Sequence, residues 1–246
     1  MKATAADQLL IDLDATLENS HSDKEEAKGN YKGGFGCAPF NASIDYGAGS
    51  GTGEERAVLL RQGGATANNA EDPIRISEAA LAVLPDSLYG GTGELDGEKI
   101  LVRTDSAGAS RKFLWYLHSR GVQFSASYPV PVGKAHMIDW INDKKYWQPA
   151  LDQDGVERDD AWVLNATQVI PLDDYPPGTK TSLRAEPPHP GATPTLLDTD
   201  AHPVTAFRPH SPRAPGPFLV PRPRGPRRGQ PPPHHPQTSP HRTPPP

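Results

Sequence analysis

LLIDLDATL (residues 9–17) is a short apolar run that carries two aspartates two positions apart, followed by a threonine. Its composition reads as a strand. Side chains alternate between the two faces of a strand, so Asp12 and Asp14 share one face. Two unrelated phosphoryl-transfer systems use such a string. In one, the first aspartate is a covalent nucleophile. In the other, an aspartate holds a metal ion that acts on DNA. The remainder of the chain has to decide between them.

The 246 residues are enough for one large domain or two small ones. Averages over the whole length mislead, because two regions differ in kind. From residue 208 to 246 there are 15 prolines, 7 arginines and no acid. The total formal charge is −5, so residues 1–207 carry −12 and an acidic body meets a basic tail. Proline locks φ and lacks a backbone donor, so the tail is expected to be disordered, neither helix nor strand. Cys37 is the only cysteine, which rules out an internal disulfide. No stretch approaches 18 apolar residues, so no membrane-spanning helix is expected. The start, MKATAADQLL, lacks the apolar core of a secretory signal, and a cytoplasmic location is the default expectation.

Further along, FNASIDY (40–46) and RAVLLRQ (56–62) are strand candidates joined by the Gly-rich GAGSGTGEE. Residues 18–34 read as a loop or open hairpin. A helix starts near Asp72-Pro73, with Ile74, Ile76, Ala80, Leu81 and Leu84 on its apolar face, and Pro85 stops it. KILVRTD (99–105) is the clearest strand. SRKFLWYLHSRG (110–121) is a short amphipathic helix closed by Gly121. VQFSASY (122–128) is the next strand, with Val122, Phe124, Ala126 and Tyr128 on one face. Three opening strands then pair antiparallel, and the strand–helix–strand that follows needs a parallel crossover. The expected fold class is therefore α/β: a mixed sheet with flanking helices. Residues 130–207 hold short apolar pieces (161–170, 181–186, 204–207) between Pro, Gly and Asp, and read as a β-rich region.

The D-x-D-x-T string resembles that of haloacid-dehalogenase-type phosphatases, which would make Asp12 the nucleophile and Asp14 the general acid. That chemistry also needs a later apolar strand ending in an acidic pair. The nearest match is VIPLDD (169–174), but Pro171 interrupts it and its acids run into Tyr-Pro-Pro. Two-metal phosphoryl transfer asks instead for carboxylates on separate strand ends of one sheet. Asp14 on the first strand and Asp105 at the end of the fourth satisfy that demand.

Six segments taken together, IDLDATL, HSDKEEA (21–27), YKGGFG (31–36), LLRQGGATANN (59–69), ILVRTDSAG (100–108) and RAEPPHPGA (184–192), resemble a bacterial insertion-sequence transposase of the DDE type, in the family numbered thirteen-eighty. The resemblance spans about residues 8–207. It implies an RNase H-like catalytic core, whose first part is residues 8–129, and a β-rich insertion at 130–207; the disordered basic tail at 208–246 stands outside it. It implies Mg2+ or Mn2+ as cofactor and DNA, at the transposon ends, as partner; a homodimer is a further expectation. Asp14 matches the family's first acid, with Asp12 on the same face as an alternative metal ligand, and Asp105 matches the second. Arg103 and Ser106 flank Asp105 and would orient it or touch phosphate.

The third acid of the family, a glutamate on a helix beyond the insertion, has no counterpart. Glu157 and Glu186 are the only glutamates after Asp105, and neither stands in that context. The family's N-terminal DNA-binding segment is also missing ahead of Asp14. Ala38 stands where the family has His, and Gly64 where it has Asn. The expected result is a catalytically incomplete transposase whose tail has the composition of frameshifted GC-rich DNA. The competing reading makes the tail a basic arm and the protein a weak, salt-sensitive DNA binder. Lys24, Glu25 and Glu26 read as a solvated loop, His189 as a turn residue, His234-His235 as a weak metal binder at most, and Cys37 as incidental. Trp115 and Tyr116 are expected to pack their helix on the sheet.

Overall fold

The computed structural model describes residues 8–19, 27–29, 33–45, 53–65, 70–89, 95–106, 108–128, 140–151, 156–187 and 204–210. Lys24, Glu25, Glu26, His189, His234, His235 and the tail from residue 211 lie outside them.

The alternation in LLIDLDA makes β1 (Leu9–Ala15): Leu9, Ile11 and Leu13 are buried on one face. β1 pairs antiparallel with β5 (Phe40–Asp45), and β5 pairs antiparallel with β6 (Glu54–Leu59). Between β1 and β5, three short strands, β2 (Glu18–Asn19), β3 (Lys28–Gly29) and β4 (Phe35–Cys37), form a small sheet in the order β2-β4-β3. It docks closely at Gly63, where a Cβ would lie 2.4 Å from the carbonyl oxygens of Gly36 and Lys28.

Helix α1 (Glu71–Ala82) carries the chain back over the sheet. Pro73 sits in its first turn, where the missing N–H costs nothing, and Glu71 and Asp72 face the positive end of the helix dipole. Its buried side is Pro73, Ile76, Ser77, Ala80 and Leu81. β7 (Ile100–Thr104) then pairs parallel with β1, α2 (Arg111–Ser119) crosses over, and β8 (Gln123–Tyr128) pairs parallel with β7. The Ser110 hydroxyl accepts from the Phe113 N–H at 3.3 Å and caps α2. Gly121, at φ 69°, ends it by entering the left-handed region. Phe113, Leu114 and Leu117 are fully buried against the apolar side of the sheet. Tyr116 packs there as expected, and burial holds its phenol above the ordinary range. Trp115 does not: it is 43% exposed, and its indole N–H donates outward to the Asp174 carbonyl at 3.0 Å.

The later strands extend this same sheet. β9 (Trp147–Leu151), β10 (Glu157–Asn165), β11 (Ser182–Ala185) and β12 (Val204–His210) complete the order β6-β5-β1-β7-β8-β12-β11-β10-β9. All pairings beyond β8 are antiparallel. The chain is thus a mixed α/β protein with one large mixed sheet and few helices. A second core, with Ile141, Leu164, Ile170 and Leu183, lies under the added strands. The change of composition near residue 130 therefore marks a change of core, not a break in the sheet.

One sequence expectation needs correction here. Residues 208–210, expected in the tail, belong to β12. Pro209 is tolerated for a geometric reason. Its carbonyl accepts from Lys180 N–H at 2.9 Å on the side where the β11 ladder has already stopped at Ser182, and the donor it lacks would face that same side. Arg208 is buried flat between the rings of Tyr128 and Tyr175, 3.5 and 3.8 Å from their centroids. His210 stacks on Phe124 and meets the His118 ring edge-on at 5.1 Å. Its Nε2 donates to the Pro177 carbonyl at 3.0 Å.

Burial, and then the neighbouring His118, push the His210 pKa down, against the opposing pull of the Pro177 hydrogen bond. A histidine whose folded pKa is depressed binds fewer protons folded than unfolded. Its contribution is present above the unfolded value of about 6.5 and is lost as pH falls below it. His210→Phe is expected to flatten the fall in urea midpoint between about pH 7 and pH 5. An unaltered slope would contradict the burial of a neutral His210.

Candidate functional site

The face of the sheet opposite Ile11 and Leu13 changes character along β1 and β7. Parallel pairing sets Leu10 beside Leu101 and Asp12 beside Arg103, and continues through Leu13 beside Thr104. Asp14 and Asp105 each follow that last pair by one residue, Asp14 within β1 and Asp105 just past the end of β7. The face therefore runs from apolar to charged toward the carboxyl ends of the two strands.

Each carboxylate has its own setting. Asp105 follows the last residue of β7, and its Oδ1 accepts from the Gly108 N–H at 3.1 Å, which closes a side-chain turn at the strand end. Gly108 has no room for a side chain: a Cβ there would stand 2.1 Å from the Thr104 hydroxyl oxygen. Gly108→Ala is expected to cost about 1–3 kcal/mol and to displace the Asp105 carboxylate. Urea unfolding measures the first effect and divalent-cation affinity the second; wild-type values for both would show that the turn does not hold Asp105.

Asp12 is held by Arg103, whose Nε and Nη2 donate to its two carboxylate oxygens at 2.6 and 2.5 Å. The two side chains are 18% and 11% exposed, so most of the pair is shielded from water. Arg103 thus has a partner in Asp12 that the sequence did not disclose. Asp12 has both oxygens engaged, which does not suit the nucleophile of a phosphatase. The acidic pair that such a phosphatase needs is also absent as a strand: residues 169–174 form turns, with Asp174 paired at the surface to Arg111. The phosphatase reading fails on both counts. Ser106 is exposed in the turn after Asp105.

The remaining glutamates lie elsewhere. Glu186 follows β11, three strand spacings or roughly 14 Å across the sheet from β7, and is paired with Arg158 and Arg184 at 2.6 and 2.9 Å. Glu157 opens β10, one strand further out. Among the described residues, no group of three or more His, Cys, Asp or Glu is arranged to hold a metal ion. Asp14 and Asp105 each carry oxygens of the hard class that Mg2+ or Mn2+ takes, with water completing the shell.

Two polar residues on this face were not singled out from the sequence. Asn41 is Asp14's partner on the β5 side, and its Nδ2 donates to Glu55 Oε1 on β6 at 3.2 Å. Polar residues at alternate positions of FNASID were the available signal; their assignment to the Asp14 face needed the antiparallel register.

No family model matches the chain, and no curated protein matches it. Among solved structures it is similar to a piggyBac transposase in a synaptic complex with hairpin DNA, at 8% sequence identity and a TM-score of 0.37. The match covers 86% of this chain and 34% of that one, so this chain spans about a third of that transposase's length. A likeness of this size carries no weight for fold or function, which stand here on sequence and geometry. Among the described residues, no helix is long and apolar enough to cross a membrane.

Proposed function

We propose that this chain is a fragment of a DDE-type transposase, of the insertion-sequence family that its motifs resemble. Its core would be RNase H-like over residues 8–129, with a β-rich insertion from 130 to the end of β12 at His210 and the basic region beyond. The observation that supports this reading is the parallel pairing of β1 with β7, which runs through Leu13 beside Thr104. Asp14 and Asp105, ninety-one positions apart in sequence, each follow that last pair by one residue, Asp14 within β1 and Asp105 just past the end of β7. Three opening antiparallel strands followed by two parallel ones supply the scaffold for that placement.

In this reading Asp14 and Asp105 hold a divalent cation, Mg2+ or Mn2+, and DNA phosphodiester is the substrate class. The bound cation would supply charge neutralisation and activation of the attacking oxygen. The protein's own part is rigid placement: one carboxylate within a strand and the other in a turn closed by Gly108. Asp12 is neutralised by Arg103 and is not a ligand. Two carboxylates fall short of the three that DDE chemistry uses, so the proposal covers cation and DNA binding, with strand transfer by this chain alone outside it.

Calorimetric Mn2+ binding tests the reading. Wild type is expected to bind, Asp14→Asn and Asp105→Asn are expected to lose binding equally, and no variant should hydrolyse a generic phosphomonoester. Binding indifferent to both aspartates would overturn the assignment.

A further inference from the structure

The guanidinium of Arg208 carries a full positive charge in a buried place. Only 3% of the residue is exposed. Arginine does not deprotonate in proteins, so burial cannot neutralise it. A buried cation is ordinarily met by a carboxylate and by acceptors for its N–H groups. Among the described residues Arg208 makes no ion pair, and its Nε and Nη1 donors meet no acceptor. Other arginines shielded from water are answered: Arg103 by Asp12, Arg61 by Asp72, and both Arg158 and Arg184 by Glu186. Tyr128 and Tyr175 cover the two faces of the Arg208 guanidinium. Ring faces attract the charge but offer no acceptor in its plane. The clamp therefore fixes that plane and leaves its edge, where the donors point, unanswered.

The surroundings are short of negative charge. Residues 108–128, which include α2 and β8, hold Arg111, Lys112 and Arg120 and no acid. Arg111 sets its own guanidinium 5.7 Å from the Tyr175 ring centroid, so one tyrosine meets two cations. Asp174, next to that tyrosine in sequence, pairs with Arg111 at 2.5 Å, and both side chains are more than half exposed. Two positive charges thus face one negative charge.

We propose that Arg208, clamped between Tyr128 and Tyr175, anchors a binding site for a phosphate group, with Arg111 at its rim. Phosphate oxygens accept in the plane of a guanidinium, where Nε and Nη1 are bare. A phosphate also brings the negative charge that the two arginines lack. Tyr175 lies in the turns of residues 171–178 and is only partly buried, so a shift of its ring opens the guanidinium edge to solvent. The site is built on β8, β12 and the turn, and stands independently of the cation reading. Inorganic phosphate and a nucleic-acid backbone present the same chemistry, and the test separates them.

Calorimetry on the full chain at constant ionic strength takes inorganic phosphate in one arm and a short single-stranded oligodeoxynucleotide in the other. Binding is expected in at least one arm, and Arg208→Met is expected to weaken it at least about tenfold. Methionine keeps an apolar stem, and near-ultraviolet circular dichroism confirms the fold. Binding of phosphate identifies a free oxyanion as ligand; binding of the oligonucleotide alone identifies the backbone. The ligand that binds should also raise the urea midpoint of the wild type and not of Arg208→Met. An arginine that serves packing alone would lower the midpoint when replaced and give no ligand dependence in either protein. Arg208→Lys keeps the charge but not the planar donors, and a similar tenfold loss is expected. Wild-type affinity in either folded variant overturns the proposal, as does a wild type that binds in neither arm. If neither variant folds, Tyr175→Leu on the turn decides: affinity lowered at least about fivefold supports the clamped site, and unchanged affinity overturns it.

Discussion

Asp14→Asn is expected to weaken Mn2+ binding by at least about a hundredfold, and Asp105→Asn by as much. A hard divalent cation takes charged oxygen ligands, and the proposed site has only two. Replacing either by an amide halves the negative charge facing the ion while changing side-chain volume very little. The loss should therefore reach calorimetry as an absent isotherm. The fold rests mainly on the other face of the sheet, where Leu9, Ile11 and Leu13 meet α1 and α2. Cooperative unfolding should accordingly survive both substitutions. A difference between the two variants larger than about tenfold would mean that the aspartates do not share one ion.

Phe113→Ala is expected to cost about 3–5 kcal/mol. Phe113 is fully buried on α2 and belongs to the cluster that joins the helices to β1, β7 and β8. A domain of this size commonly has about 5–15 kcal/mol in hand, so much of its stability is at stake. Trp115→Ala, two residues away on the open side of the same helix, is the control, with an expected cost below about 1.5 kcal/mol. Urea denaturation of the two variants measures the contrast. Equal midpoints would mean that the buried face of α2 has been assigned wrongly.

Sequence periodicity disclosed the elements whose patterns are simple. β1, β5, β7 and β8 show strand alternation or a short apolar run, α2 has Ser110 before it and Gly121 after it, and α1 has Pro73 in its first turn. β9 was hidden because Pro149 interrupts it and its side chains are mixed; it lies at the edge of the described sheet, where strands tolerate proline. β2, β3 and β4 are two or three residues long and too short to carry a period. The last residues of β12 were lost to a compositional judgement about proline that ignores which side of a strand its nitrogen faces.

At the site, the positions of Asp14 and Asp105 were legible because each sits at the end of a recognisable strand. The pairing of their strands, far apart in sequence, was not legible, and neither was the partnership of Asp12 with Arg103. A local pattern shows which face a residue occupies. It does not show which residue of a distant strand stands beside it. Asn41 and Glu55 escaped notice for the same reason, with a bulge between Ala42 and Ser43 shifting the register that brings them together.

The β8–β12 pairing joins the two halves of the large sheet. A polypeptide ending before Val204 would leave β8 and β11 as raw borders, each with a row of unanswered amide and carbonyl groups. Such borders recruit strands from other molecules. The seven residues of β12 thus stand between a self-contained particle and one prone to exchange strands with its neighbours or to aggregate.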